Sequence, residues 1–182
     1  MEGAVNRVPK DFYPNVWGML RHCKGLIFKS SKMPELMKSP YSYREDPNIP
    51  AFDDSKALFV FDGVCVLCSG GASWLMKFDH AAKVNFTSAQ GELGLALYQH
   101  YGRVIDDSYL LLVEGRAYEA SSGYFALCNV LGWPWKMLNI FAVVPERWRD
   151  WGYGQIATHR YRWFGKVGYC DLLTTEQRAR LL

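Results

Sequence analysis

Between residues 55 and 165 the spacing of apolar and polar positions changes repeatedly, and each change marks an expected element. "KALFVF" (56–61) is an apolar run with polar residues on either side, which predicts a strand buried on both faces. In "VLCSGGASWLMKFD" (66–79), Cys68, Ala72, Leu75, Met76 and Asp79 recur at helical spacing, so a helix is expected despite Gly70 and Gly71. "KVNFTSA" (83–89) alternates like a strand, and "GELGLALYQHYG" (91–102) predicts a short helix that stops at Gly102. "SYLLLV" (108–113) and "RAYEAS" (116–121) flank Glu114 and Gly115, a two-residue hairpin signal because glycine accepts positive φ. "SSGYFALCNVLG" (121–132) opens with serines suited to a helix N-cap and ends at a glycine. "WPWKMLNIFAVV" (133–144) reads as an apolar helical connector. "PERWRDWGYGQIATHRYRWFG" (145–165) reads as a helix with Pro145 in its first turn and Gly152, Ile156, Arg160 and Trp163 on one face.

The order from Ser55 is therefore β-α-β-α-β-β-α, followed by more helix. Strands joined through a helix pair in parallel, whereas strands joined by a tight turn pair antiparallel. That is the order of a minimal thioredoxin-like α/β core (βαβαββα), here with extra C-terminal helices, and the domain is expected over 55–182. Residues 1–54 read as a basic N-terminal arm and linker. Within it, "NVWGMLRHCKGLIFK" (15–29) has the spacing of a short amphipathic helix, and "MKSPYSYREDPNIPAFDDS" (37–55) carries three prolines and many polar residues.

Composition narrows the class. Hydrophobic residues make up 49% and aromatic residues 15%, enough for a packed core and unlike a disordered chain. The net charge of +3 lies wholly in the first 50 residues, where eight Lys/Arg face five Asp/Glu. The remainder balances, so no nucleic-acid partner is expected. The arm is instead a candidate for docking to a larger complex through residues 1–50. No apolar run approaches the ~18 residues of a membrane span, so no transmembrane helix is expected. Five cysteines form an odd set, which argues against the disulfide framework of a secreted domain. A reducing, cytoplasmic setting follows. The interior of a mitochondrion or plastid is the alternative, because the N-terminus has some Arg, Lys and Ser character of an organellar presequence.

The chemistry concentrates in "FDGVCVLC" (61–68), where the first strand hands over to the first helix. A cysteine at a helix N-terminus faces unpaired N–H groups and the positive end of the dipole, which favour the thiolate. Cys65, just ahead of the helix, is expected to be the more exposed sulfur and the nucleophile. Cys68, one turn on, is placed to resolve a mixed disulfide. Asp62 would repel a thiolate, so its candidate roles are proton transfer or a turn and N-cap contact. A zinc site needs a second close pair of ligands, and none of Cys23, Cys128, His159 or Cys170 supplies one. Two buried inert thiols are a further reading. A phosphatase of the D-x-D-G type has no nucleophile, because its position holds Val60.

The run D-G-x-C-x-x-C, formed by Asp62, Gly63, Cys65 and Cys68, resembles the signature of the DCC-type thiol–disulfide oxidoreductases. The likeness extends over residues 55–172. It includes the Gly-Trp-Pro-Trp turn and a "Y..IA..R...FG" ending at Tyr153, Ile156, Ala157, Arg160, Phe164 and Gly165. The resemblance implies a thioredoxin-like fold and disulfide exchange with a protein or small-molecule thiol partner, with no metal and no organic cofactor. The alternative is a non-catalytic accessory subunit of a larger assembly. One departure stands out. Thioredoxins place a proline just before the third core strand, where this chain has Asp106, Asp107 and Ser108. Elsewhere, Cys128 and the tryptophans are expected in the core, some tryptophans being candidates for a partner surface. Cys170 is expected as a packed tail thiol or an extra resolving thiol, and Arg160 as a charge opposing the dipole of its helix or, with His159, lining the active-site side.

Overall fold

The computed structural model describes residues 38–105, 108–166, 168 and 173–182. The expected 15–29 helix, Cys23, Asp106, Asp107 and Cys170 lie outside the described residues, as does most of the basic arm.

Four strands form one sheet in the order β2-β1-β3-β4. Strand β1 (Ala57–Phe61) pairs in parallel with β2 (Val84–Ser88), and antiparallel with β3 (Leu110–Val113), which pairs antiparallel with β4 (Arg116–Tyr118). The apolar run at β1 has a direct cause. Leu58 and Val60 face helix α2 (Glu92–His100), with Leu93 and Leu97, whereas Ala57 and Phe61 face helix α1 (Val66–Phe78), with Ala72, Leu75 and Met76. Helix α3 (Ala120–Leu131) joins the second layer through Leu127. The mixed four-stranded sheet with helices on both faces carries the expected thioredoxin-like α/β class.

Two glycines are dictated by contact. At the two-residue hairpin, Glu114 and Gly115 have φ of 50° and 77°, and the Gly115 carbonyl accepts the Tyr41 amide at 2.8 Å. In α2, a Cβ on Gly94 would stand 2.1 Å from the Ser88 carbonyl oxygen, so a bare Cα lets α2 approach the end of β2.

Residues 41–54, read from sequence as linker, pack onto the body. Tyr43 is buried among Leu58, Val60 and Tyr98, and its hydroxyl donates to Asp54 at 2.9 Å. His100 binds Asp46 at 2.7 Å and Ser42 at 3.0 Å. The prolines do break regular structure there, but Tyr41, Tyr43, Ile49 and Phe52 supply apolar surface that covers the α2 side of the sheet.

The C-terminal third differs from expectation in its tryptophans. The connector is a 3-10 helix, Trp135–Val143, with no buried residue. Trp135 stacks edge-on against Trp74 at 5.0 Å, but Trp133, Trp148, Trp151 and Trp163 are each more than half exposed. In helix α4 (Glu146–Phe164) only Arg160 is fully buried; Asp150 and Tyr153 are half-buried against Ser121 and Ser108. Pro145 is the N-cap of α4, so this helix starts one position later than expected; Glu119, and not a serine, is the N-cap of α3, two positions ahead of Ser121. Helix α5 (Thr175–Arg178) is closed by a capping box, and Gln177 holds it to Ser73 of α1 at 3.0 Å. The following residues bridge to β2 between Phe86 and Leu181.

Candidate active site

The parallel β1–β2 pair and the short loop after β1 deliver Asp62, Gly63 and Val64 to the first turn of α1. Cys65 is the N-cap residue, with extended backbone, and its carbonyl accepts the Ser69 amide at 2.9 Å. The Ser69 hydroxyl, fully buried, donates back to the Gly63 carbonyl at 3.1 Å and so ties the loop to the helix. Gln90, after β2, does the same from the other side. Its Oε1 accepts the Gly63 amide at 2.9 Å and its Nε2 donates to Asp62 Oδ1 at 2.7 Å.

Asp62 is buried, and four donors reach its carboxylate. Gln90 and the Val64 amide, at 3.1 Å, share Oδ1. The Tyr161 hydroxyl and Arg160 Nη2, at 3.5 Å, share Oδ2. Arg160 is itself buried and also donates to the Ile105 carbonyl at 3.3 Å. Burial opposes its charge. The Tyr161 oxygen, then Cys68, and the charge of Asp62 outweigh burial and hold its pKa above the ordinary value. Arg160 thus faces the carboxylate of the motif, which is the active-site alternative and not the favoured helix-end role near the last turn. Tyr161 lies between two cations, Arg160 at 4.8 Å and Lys166 at 4.0 Å from its ring.

The two cysteines reverse the expected order of exposure. Cys65 has no exposed surface, because its backbone forms an antiparallel bridge with Lys166, the segment that follows α4. Cys68 is half-buried and lines a cleft of about 60 Å³ together with Asp62, Ser108, Tyr153, Ile156 and Arg160. Both thiols are free. Burial first, then a hydrogen bond to Cys65 and the like charge of a Cys65 thiolate, push the Cys68 thiol well above its ordinary pKa. Arg160 pulls the other way. Cys128 is buried in α3, as expected, and burial raises its thiol too.

The cleft also explains the spacing of the C-terminal motif. Tyr153, Ile156, Ala157 and Arg160 follow one another at i, i+3, i+4 and i+7 and present one face of α4 to Cys68. The Tyr153 hydroxyl meets Ser108 Oγ at 2.9 Å, at the position where thioredoxins carry their proline. The sequence reading placed that face one residue away, at Gly152, and missed Gln90 and Tyr161. The i, i+3, i+4, i+7 spacing within the quoted motif was the available signal for Tyr153. Nothing local marks Gln90 or Tyr161, which reach Asp62 across 28 and 99 positions. Among the described residues no group of three His, Cys, Asp or Glu side chains is arranged to hold a metal ion.

A family model described as DCC1-like thiol-disulfide oxidoreductase matches residues 59–166, more than half the chain and every residue of the Asp62 cluster. The chain belongs to this family. It is 35% identical over 127 residues to the uncharacterized protein YuxK of Bacillus subtilis, covering 69% of this chain and 93% of that protein. It is 33% identical over 123 residues to a chloroplastic DCC family protein of Arabidopsis thaliana, covering 66% of this chain and 72% of that one. A second model, the phosphorylase b kinase C-terminal domain, matches residues 1–33, outside the described residues. No solved structure matches the chain. Membership of the family makes this a chain of the thiol–disulfide oxidoreductase class, and no helix of the described residues is long and apolar enough to cross a membrane.

Proposed function

We propose that the Cys65–Cys68 dithiol exchanges with the disulfide of a substrate, and that Asp62 handles the proton. The observation that carries this reading is the placement of Cys65 as the N-cap residue of α1 with Cys68 one turn in, lining the cleft. A cysteine at a helix N-terminus meets unpaired N–H groups and the positive end of the dipole, which suit an attacking sulfur. Cys65 is then assigned the attack, and Cys68, whose thiol burial holds above its ordinary pKa, keeps its proton until the second step.

In the first step the Cys65 thiolate attacks one sulfur of the substrate disulfide. A Cys65–substrate disulfide forms, and the other substrate sulfur leaves as thiolate and takes a proton from solvent. In the second step Cys68 loses its proton and attacks Cys65. The Cys65–Cys68 disulfide forms and the remaining substrate sulfur leaves. The substrate gains two electrons and the dithiol loses two; the reverse direction oxidises a dithiol. Asp62 lines the same cleft as Cys68 and is the buried carboxylate closest in sequence to receive that proton. Because Cys65 lies beneath the Lys166 bridge, attack requires that bridge to open. A reducing compartment keeps such a pair ready, and the chloroplastic relative is compatible with a plastid interior as one such place.

Trapping separates the roles. Cys68→Ser should accumulate a mixed disulfide on Cys65 with a model substrate such as an aromatic disulfide, and Cys65→Ser should not. Accumulation on neither variant would sink the exchange reading. Accumulation only in Cys65→Ser would exchange the two roles.

A further inference from the structure

The C-terminal third carries an exposed apolar surface among the described residues. Trp133, Met137, Ile140, Val143, Trp148 and Trp151 are each at least 65% exposed. Trp133 lies in the turn before the 3-10 helix, and the others lie on that helix and at the start of α4. Trp148 and Trp151 stand one turn apart and, with Arg147, line an open groove of about 320 Å³. Single exposed apolar residues are ordinary, but six of them within 19 positions, two of them lining one groove, mark a candidate interaction surface.

Charge selects the kind of partner. Residues 133–166 hold Lys136, Arg147, Arg149, Arg160, Arg162 and Lys166 against Glu146 and Asp150. Arg160 is committed to Asp62, and Arg149 to the Val144 carbonyl and the Phe125 ring. Asp150 is half-buried and accepts the Ser121 hydroxyl. Lys166 lies over the Tyr161 ring on the cleft side, so the exposed balance along the face is Lys136 and Arg147 against Glu146, with Arg162 further along α4. A second copy would set like charges against each other across the contact. A surface that is apolar just beneath an anionic layer satisfies both features at once. Tryptophan rings favour the boundary between headgroups and acyl chains, and lysine and arginine favour lipid phosphates.

We propose that the face running from Trp133 to Trp151 docks peripherally on an anionic lipid bilayer, with Lys136 and Arg147 on the headgroups. This goes beyond the thiol chemistry and does not depend on it. At 100° per residue, Trp151 lies on the far side of α4 from Arg160. Docking therefore leaves the cleft at Cys68 facing away from the bilayer surface.

Flotation of the full chain with lipid vesicles tests the proposal. Phosphatidylcholine vesicles with about one third phosphatidylglycerol, at about 0.15 M salt, are compared with pure phosphatidylcholine. The chain should float with the anionic vesicles and much less with the neutral ones. Lys136→Gln with Arg147→Gln should lower partitioning roughly fivefold per residue. Trp148→Ser with Trp151→Ser should abolish flotation, with unchanged far-ultraviolet circular dichroism and unchanged Cys68 alkylation. No flotation of the parent chain, or full flotation of both double variants, overturns the proposal. So does a concentration-dependent dimer that the tryptophan variant abolishes, since that assigns the face to a second copy.

Discussion

Arg160→Met isolates the buried charge pair on which the site is built. Methionine keeps an apolar stem and removes the guanidinium. Asp62 then loses its cationic partner among the described residues, 3.5 Å away, and the Ile105 carbonyl loses a donor at 3.3 Å. Removing one partner of a buried ion pair costs about 3–5 kcal/mol when the remaining charge is left alone. Asp62 is not left alone, because Gln90, the Val64 amide and the Tyr161 hydroxyl still reach it. The long ion-pair distance lowers the loss further, so about 2–3 kcal/mol is expected. Urea unfolding of the full chain at neutral pH reads this as a shift of midpoint at constant slope. Asp62→Asn combined with Arg160→Met should recover part of the loss, leaving a coupling of about 1–2 kcal/mol in the double-mutant cycle. An Arg160→Met chain within about 0.5 kcal/mol of the parent, or strictly additive single variants, would refute the buried pair.

Three further outcomes follow from the geometry. Burial, then its bond to Cys65, raises the Cys68 thiol above its ordinary 9.0; the unfolded chain therefore ionises first, and stability falls as pH rises through that value toward the folded pKa. Urea titrations between about pH 9 and 10 should show this decline reduced in Cys68→Ser by about 1 kcal/mol over that unit, and parallel curves would contradict it. Gly94→Ala places a Cβ against the Ser88 carbonyl, so thermal unfolding should report a loss of at least ~1–3 kcal/mol, and an unchanged Tm would deny the close approach of α2. Tyr43→Ala should cost about 3–5 kcal/mol in the same assay because Tyr43 belongs to the core; a surface-like loss below about 0.5 kcal/mol would return residues 41–54 to the status of linker.

Local rules reached the elements that local forces decide. β1 was legible because both its faces are covered, leaving no polar interruption between Ala57 and Phe61. The hairpin was legible because Gly115 marks a turn that needs positive φ. The dithiol junction was legible because the C-x-x-C spacing itself fixes both cysteines to one helix start. What escaped depends on long-range packing. Arg160 lies 98 positions from Asp62, so its helix-end location suggested a dipole role that the buried carboxylate overrides. Cys65 looks exposed from its place before a helix, but Lys166, supplied by the end of α4, covers it. Prolines in 40–50 argued for an arm, and the aromatic residues between them found core surface to cover. The tryptophans pointed inward by composition alone, because hydrophobic residues are inside only where the fold supplies a second layer.

The central claim is that Cys65 and Cys68 form a reversible dithiol–disulfide couple. Equilibrating the full chain in glutathione buffers of graded poise, followed by acid quench, alkylation and peptide mass analysis, measures it directly. The account predicts a peptide containing both Cys65 and Cys68 that loses two hydrogens over one two-electron transition, while Cys128 remains alkylatable throughout. Cys65 and Cys68 that both remain reduced across the whole series, or that oxidise only as separate glutathione adducts, would contradict it.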